Sequence, residues 1–204
     1  MPHVRPLPPG QAPAAAALLG RAFRDVPAYL AIFDPHRHSA DERLAAITRV
    51  KRGLCEAYAR YAEADALWDG DRLLGVTLAA APGRYPLGLR ADLFVYAHSL
   101  ALGPRLIQRF LHLDRFMAFH HLRAPHYYLF VLGVEPDSQG QGHGKALLRA
   151  LNARADARGV PCYLETDRPE NVRLYRSVGY EVVHEGTIEP LGGLRMWTMQ
   201  REPR

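Results

Sequence analysis

The stretch from Tyr127 to Leu148 constrains this chain more than any other: an apolar strand runs into a glycine-rich turn and then into a helix. Tyr127-Tyr-Leu-Phe-Val-Leu-Gly-Val134 is a nearly continuous run of aromatic, aliphatic and β-branched residues, the composition of a strand buried on both faces. Gly140, Gly142 and Gly144 come next, and Ala146, Leu147, Leu148 and Leu151 recur behind them at helical spacing. Glycines allow close backbone approach, and the first N–H groups of a helix are unpaired beside the positive end of its dipole. Such a turn is a place to hold a phosphate.

Spacing separates the glycine-rich phosphate motifs. The dinucleotide fingerprint G-x-G-x-x-G, started at Gly140, needs glycine where Lys145 stands. A Walker A loop ending at Gly144-Lys145 needs glycine at Gln139 and a hydroxyl residue at Ala146, and has neither. The pattern that matches is Gln139-x-x-Gly142-x-Gly144. In this the chain resembles the GNAT superfamily of acyl-CoA-dependent N-acyltransferases, whose pyrophosphate loop reads Q/R-x-x-G-x-G/A. Val134-Glu-Pro136 is similar to the family's strand end before the loop, and Asn171 with Leu174-Tyr-Arg-Ser-Val-Gly-Tyr180 resembles its downstream N-x(3)-Y-x(3)-G-[F/Y] segment. The resemblance covers about residues 127 to 200. Within it, Leu164-Glu-Thr166 followed by Asn171 and Tyr175 looks most like the puromycin N-acetyltransferase group. The first 125 residues carry no comparably specific match.

The resemblance implies a mixed α/β (α+β) fold: a mostly antiparallel sheet of six or seven strands with helices on both faces, splayed at the loop-bearing strand. It implies acetyl-CoA as co-substrate and no metal. Successive N–H groups of Gln139, Gly140, Gln141, Gly142, His143 and Gly144 would surround the pyrophosphate, with Lys145 adding charge or standing solvated. The pantetheine arm would lie along the strand and pair with the backbone of Leu132 and Val134, like an added strand. Asn171 would contact the cofactor, unless it only caps a helix. Tyr175 matches the family's general acid; a phenol of pKa about 10 is neutral at pH 7 and can donate to a thiolate. Its plainer role is packing against the sheet. The base that takes the proton of the substrate ammonium is Glu165 or His126 among the candidates. His112, His120 and His121 form no H-E-x-x-H or comparable array.

The rest of the chain frames this core. His3 to Leu7 reads as a first strand held to an edge by its prolines, and Pro13 to Phe23 as a helix with proline in its first turn. Pro27 and Asp34-Pro35 break up the segment behind that helix. Ser39-Ala-Asp-Glu42 is a capping box before a helix carrying Leu44, Ile47, Leu54, Tyr58 and Tyr61. Asp69-Gly70 predicts a tight hairpin between Ala66–Trp68 and Leu73–Ala81. Pro82 to Pro125 is apolar and reads as two inserted helices, the second starting at Gly103-Pro104; they can cover an active site or pack against a second subunit in a homodimer. A strand at Cys162–Thr166, a short helix at Asn171–Ser177 and a hairpin of Tyr180–Ile188 with Leu194–Gln200 close the chain.

These readings predict a single acetyltransferase domain over residues 1–204 with a helical insertion at about 82–125. The net charge of +5 is dispersed, which argues against nucleic acid. No run reaches a membrane span, the first residues lack the apolar core of a signal peptide, and Cys55 and Cys162 lack metal-ligand spacing. A cytoplasmic N-acetyltransferase acting on a primary amine, of a small molecule before a protein N-terminus or lysine, is the expected activity. A non-catalytic acyl-CoA-binding module is the expectation from another class.

Overall fold

A computed structural model describes residues 1–204. Its single sheet has seven strands in the order β1-β2-β3-β4-β5-β7-β6. They are β1 (His3–Pro6), β2 (Glu63–Asp69), β3 (Arg72–Ala80), β4 (Tyr127–Val134), β5 (Cys162–Thr166), β6 (Glu181–Ile188) and β7 (Leu194–Arg201). Every pair is antiparallel except β4 with β5. The helices are α1 (Ala12–Phe23), α2 (Pro27–Phe33), α3 (Ala40–Tyr61), α4 (Leu89–Ser99), α5 (Gly103–His120), α6 (His143–Ala157) and α7 (Pro169–Arg176).

The strand alternation sorts the helices onto two faces. Val76, Leu78 and Val131 meet α1 and α3 on one side. Leu129, Leu164 and Met199 meet α6 and α7 on the other. The one parallel pairing decides where the site falls. β4 pairs with β5 only through Tyr127↔Cys162, Tyr128↔Tyr163 and Leu129↔Leu164. Beyond that point the two strands diverge, and the rest of β4 has one partner, β3. Leu74 O accepts from Glu135 N–H, so alternation along the antiparallel pair turns the N–H and C=O groups of Leu132 and Val134 away from β3, into the opening.

Three local expectations are corrected. Pro27 does not break the chain; it stands in the first turn of α2, where a missing N–H costs nothing, and Asp34 at φ +45° ends that helix. The hairpin turn sits one residue later than Asp69-Gly70 suggests: Asp69 pairs with Arg72, so Gly70 and Asp71 are central, and only Gly70 has positive φ. The last helix begins at Pro169 with Arg168 as its N-cap, which places Asn171 inside the first turn and removes its capping role. The Ser39 capping box is formed: Ser39 Oγ accepts from Glu42 N–H, and Glu42 Oε2 accepts from Ser39 N–H at 2.8 Å.

The insertion is two helices, α4 and α5, and α4 packs on α3. Gly53 is what lets it do so: a Cβ there would stand 2.6 Å from Phe94 O and 3.1 Å from Val95 Cα. Backbone cannot give way as a side-chain tip can. Gly53→Ala should therefore lower stability by about 1–3 kcal/mol, read as a lower midpoint in urea or thermal unfolding; an unchanged midpoint would mean that α4 is not held against α3 there.

Candidate active site

The opening between β4 and β5 leads into two adjoining cavities. The first, of about 540 Å³, is lined by Leu132 and Val134 of β4, by Gln139, Gly140, Gly142, His143, Gly144 and Lys145 of the turn, and by Asn171 and Leu174 of α7. Gly140 at φ +77° and Gly142 at φ +83° hold a backbone that residues with side chains rarely adopt, and a Cβ at either would meet nothing within 4 Å. The turn thus presents bare backbone to open space. Ala146 N–H bonds Gly142 O, the first bond of α6. The N–H groups of His143, Gly144 and Lys145 precede it with no carbonyl to take them, and the first turn carries no acidic residue. These donors, Lys145 and the free edge at Leu132 and Val134 fit the pyrophosphate and amide-bearing arm of CoA.

Gln139 turns its amide to Val134 O at 3.2 Å, tying the turn to the strand end. Asn171 Nδ2 donates to Thr166 Oγ1 at 3.3 Å. Gln141 is exposed and its side chain does not line the groove. Tyr175 is buried among Leu148, Leu164 and Trp197 and lines neither cavity, although it stands one helical turn after Asn171 on the same side of α7.

The second cavity, of about 300 Å³, lies on the α3 face and is mostly apolar. It shares Phe23, Val26 and Asp167 with the groove. Its walls come from α1, α2 and α3 and from both inserted helices, through Tyr29, Leu54, Val95, Ile107 and Phe110 among others. Its floor is Phe130, Val131 and the end of β5, including Glu165.

Glu165 reaches this cavity because residues 163 and 165 point to the face opposite Cys162 and Leu164. Tyr128 OH donates to Glu165 Oε2 at 2.8 Å, while Oε1 is out of contact with solvent and has no partner. The carboxyl is enclosed by protein, and burial pushes its pKa up to about 7 against the pull of the Tyr128 and Tyr163 hydroxyls. Asp167 Oδ2 accepts from Ala28 N–H at 2.6 Å in the first turn of α2, and burial raises its pKa too. Lys51 is buried, with Nζ 4.1 Å from the centre of the Phe23 ring and 5.3 Å from that of Tyr29.

The structure thus brings Glu165, but not His126, to the junction with the groove. His126 lines a separate cavity beside His121 and Tyr85, and its Nδ1 is paired with Ala124 O at 2.7 Å. Sequence reasoning misses Asp167, Lys51 and Tyr128. Asp167 directly follows the Leu-Glu-Thr run and could be read with it; Lys51 reads as one more helix charge, and Tyr128 as one more core aromatic.

Comparison with known proteins meets this geometry in the same half of the chain. Residues 106–182, from α5 into β6, match the family described as acetyltransferase (GNAT) domain. The chain carries a GNAT acetyltransferase domain. A mycothiol acetyltransferase of Saccharomonospora viridis is 41% identical over 58 residues, which are 27% of this chain and 19% of that protein. The N-alpha-acetyltransferase RimI of Mycobacterium tuberculosis is 39% identical over 79 residues, 37% of this chain and 49% of RimI. The chain therefore spans half or less of the length of the curated relatives it matches.

The fold around the GNAT domain is shared with a crystal structure from Corynebacterium glutamicum described as histone acetyltransferase HPA2 and related acetyltransferase: TM-score 0.67 at 21% identity, over 100% of this chain and 97% of that one. The PaiA N-acetyltransferase of Thermoplasma acidophilum, solved with coenzyme A, aligns with TM-score 0.55 at 13% identity, over 99% of each chain. The seven-stranded, mostly antiparallel sheet with helices is the architecture of these neighbours.

The GNAT domain's pH response should pass through Tyr128. Its hydroxyl bond favours the ionised form of Glu165, so Tyr128→Phe raises the pKa of that carboxyl further above about 7. If Glu165 acts as base, the acid limb of kcat/KM shifts to higher pH and activity at pH 7 falls while the high-pH plateau is kept. A limb that stays in place would disconnect Tyr128 from the base.

Proposed function

We propose that the chain transfers the acetyl group of acetyl-CoA to the primary amine of a small molecule. One observation carries this reading: a donor-lined groove at the strand opening joins a closed, largely apolar cavity whose floor holds a buried carboxyl, Glu165. CoA supplies the acetyl group as a thioester. The turn residues Gln139 to Lys145, with Leu132, Val134 and Asn171, hold it, and a backbone N–H near Leu132 serves the thioester oxygen.

The acceptor must arrive as an uncharged amine. An alkyl ammonium of pKa about 10 stands about 3 units above Glu165, close to 4 kcal/mol of uphill proton transfer in water. Burial among Phe130, Met117 and Tyr29 disfavours the ammonium and narrows that gap. Glu165 accepts the proton and Tyr128 holds its other oxygen. Tyr175, whose phenol burial keeps protonated, is the donor to the departing thiolate. Tyr175→Phe should then lower kcat by about 10–100-fold with KM for acetyl-CoA unchanged; full turnover would leave Tyr175 a packing residue only.

A second reading, acetylation of a protein N-terminus, is favoured by the likeness to RimI. Against it stand α4 and α5, which wall the cavity where a peptide would enter. Thiol release from acetyl-CoA with small amines, set beside peptides with free N-termini, separates the two: faster release with peptides would overturn the small-molecule reading. The narrower likeness to the puromycin group rests on Leu164-Glu-Thr166, Asn171 and Tyr175 alone. No helix is long and apolar enough to cross a membrane. Leu89, Leu93, Leu100 and Phe119 remain exposed on the insertion, a surface that a second copy of the chain could cover.

A further inference from the structure

Asp114 is the polar group of the cavity that has no protein partner. It lies on the side of α5 that carries Ile107, Phe110, Leu111 and Met117 to the cavity, at helical spacing. Its carboxylate makes no hydrogen bond and no ion pair, whereas Asp167 is held by Ala28 N–H and Glu165 by Tyr128 OH. The side chain keeps solvent access through the cavity while protein surrounds it, and burial alone pushes its pKa up to about 6. Lys51, the cationic side chain of the lining, acts electrostatically on Asp167 and not on Asp114.

Asp114 and Glu165 share a neighbourhood without sharing a place. Burial and the charges of Glu165, Asp114 and Asp92 together push the Tyr85 phenol up to about 12. Along α5, however, Asp114 precedes His120 by six residues, about 9 Å of helix rise, and it is His120 O that accepts from Tyr163 OH near Glu165, at 2.9 Å. Apolar wall lies between the two carboxyls, with Met117 on the intervening turn.

A carboxylate set into an apolar wall with nothing to neutralise it is costly unless a ligand supplies the cation. We infer that the acceptor is a dicationic amine: one amine is presented to the thioester beside Glu165, an apolar stem crosses the cavity, and the second ammonium pairs with Asp114. The inference rests on the acetyl-transfer reading and names its substrate class. Asp114 is then a specificity residue, touching the end of the substrate that does not react.

The test uses the full chain with saturating acetyl-CoA and compares hexamethylenediamine with hexylamine by thiol release. Wild type should show a kcat/KM at least about tenfold higher for the diamine, the worth of one charge-assisted hydrogen bond. Asp114→Asn should raise KM for the diamine by a similar factor with kcat held, and leave hexylamine unchanged or improved. Its unfolding midpoint should be equal to or above wild type, because an unpaired buried charge is removed. Equal use of both amines by wild type, or an equal loss on both in Asp114→Asn, overturns the dication while leaving acetyl transfer intact. Thiol release with neither these nor any other amine overturns the acetyl-transfer reading, and the dication with it.

Discussion

Glu165→Gln is expected to lower kcat/KM for amine acetylation by about 10²–10⁴-fold at pH 7, the contribution of a positioned general base. The amide keeps the volume of the side chain and can still accept from Tyr128, so the cavity floor stays formed; only the capacity to take a proton is lost. Because Glu165 lines the acceptor cavity and not the groove, affinity for acetyl-CoA should not move. The pH profile gives a second signature. A carboxyl raised to about 7 is a base above that pH and an acid below it, so wild-type kcat/KM rises as pH increases through about 7, and the variant should lack that rise. Asp167→Asn is the informative control. Asp167 lines both cavities, but one of its oxygens is taken by Ala28 N–H. A loss carried by Asp167→Asn with Glu165→Gln near wild type would move the base to Asp167.

Gly142→Trp should abolish measurable acetyl-CoA binding in isothermal titration. Gly142 caps the start of α6 at φ +83° with open groove where a side chain would project, so an indole there fills the space assigned to the pyrophosphate. Losing two charge-assisted hydrogen bonds at about 1.5–3 kcal/mol each corresponds to a weakening of about 100-fold or more. The left-handed backbone adds a folding cost of about 1–2 kcal/mol for any non-glycine residue, so unfolding must be measured beside binding. Gln141→Trp, one residue earlier and outside the groove, should bind as wild type does. Equal loss in both variants would mean that the turn matters to folding and not to the cofactor.

The groove and the acceptor cavity are not equally legible in the sequence. The groove arises from local chemistry. A turn that brings backbone N–H groups to a phosphate needs glycines at set intervals, and Gln139, Gly142 and Gly144 show that spacing without any tertiary information. The strand opening is also local, since β4 must outrun β5 to leave Leu132 and Val134 free. The acceptor cavity is assembled from contacts far apart in the chain, and no periodicity announces them. Asp167 caps α2 across 139 residues. Gly53 matters only because α4 lies against it. Asp114 looks like one charge on an amphipathic helix until α5 is folded over β5. Pro27 reads as a breaker because the same residue serves to start a helix or to end one, and only the placement of Asp167 beside Ala28 decides between them.

The most direct measurement is the stoichiometry of transfer: thiol released from acetyl-CoA set against acetylated amine counted by mass spectrometry in the same reaction. One thiol is expected for each acetylated amine, from a small primary amine, with both signals lost together in Glu165→Gln. Saturable acetyl-CoA binding with no thiol released for any amine would contradict acetyl transfer, and would make this chain a sensor of acyl-CoA instead of an enzyme.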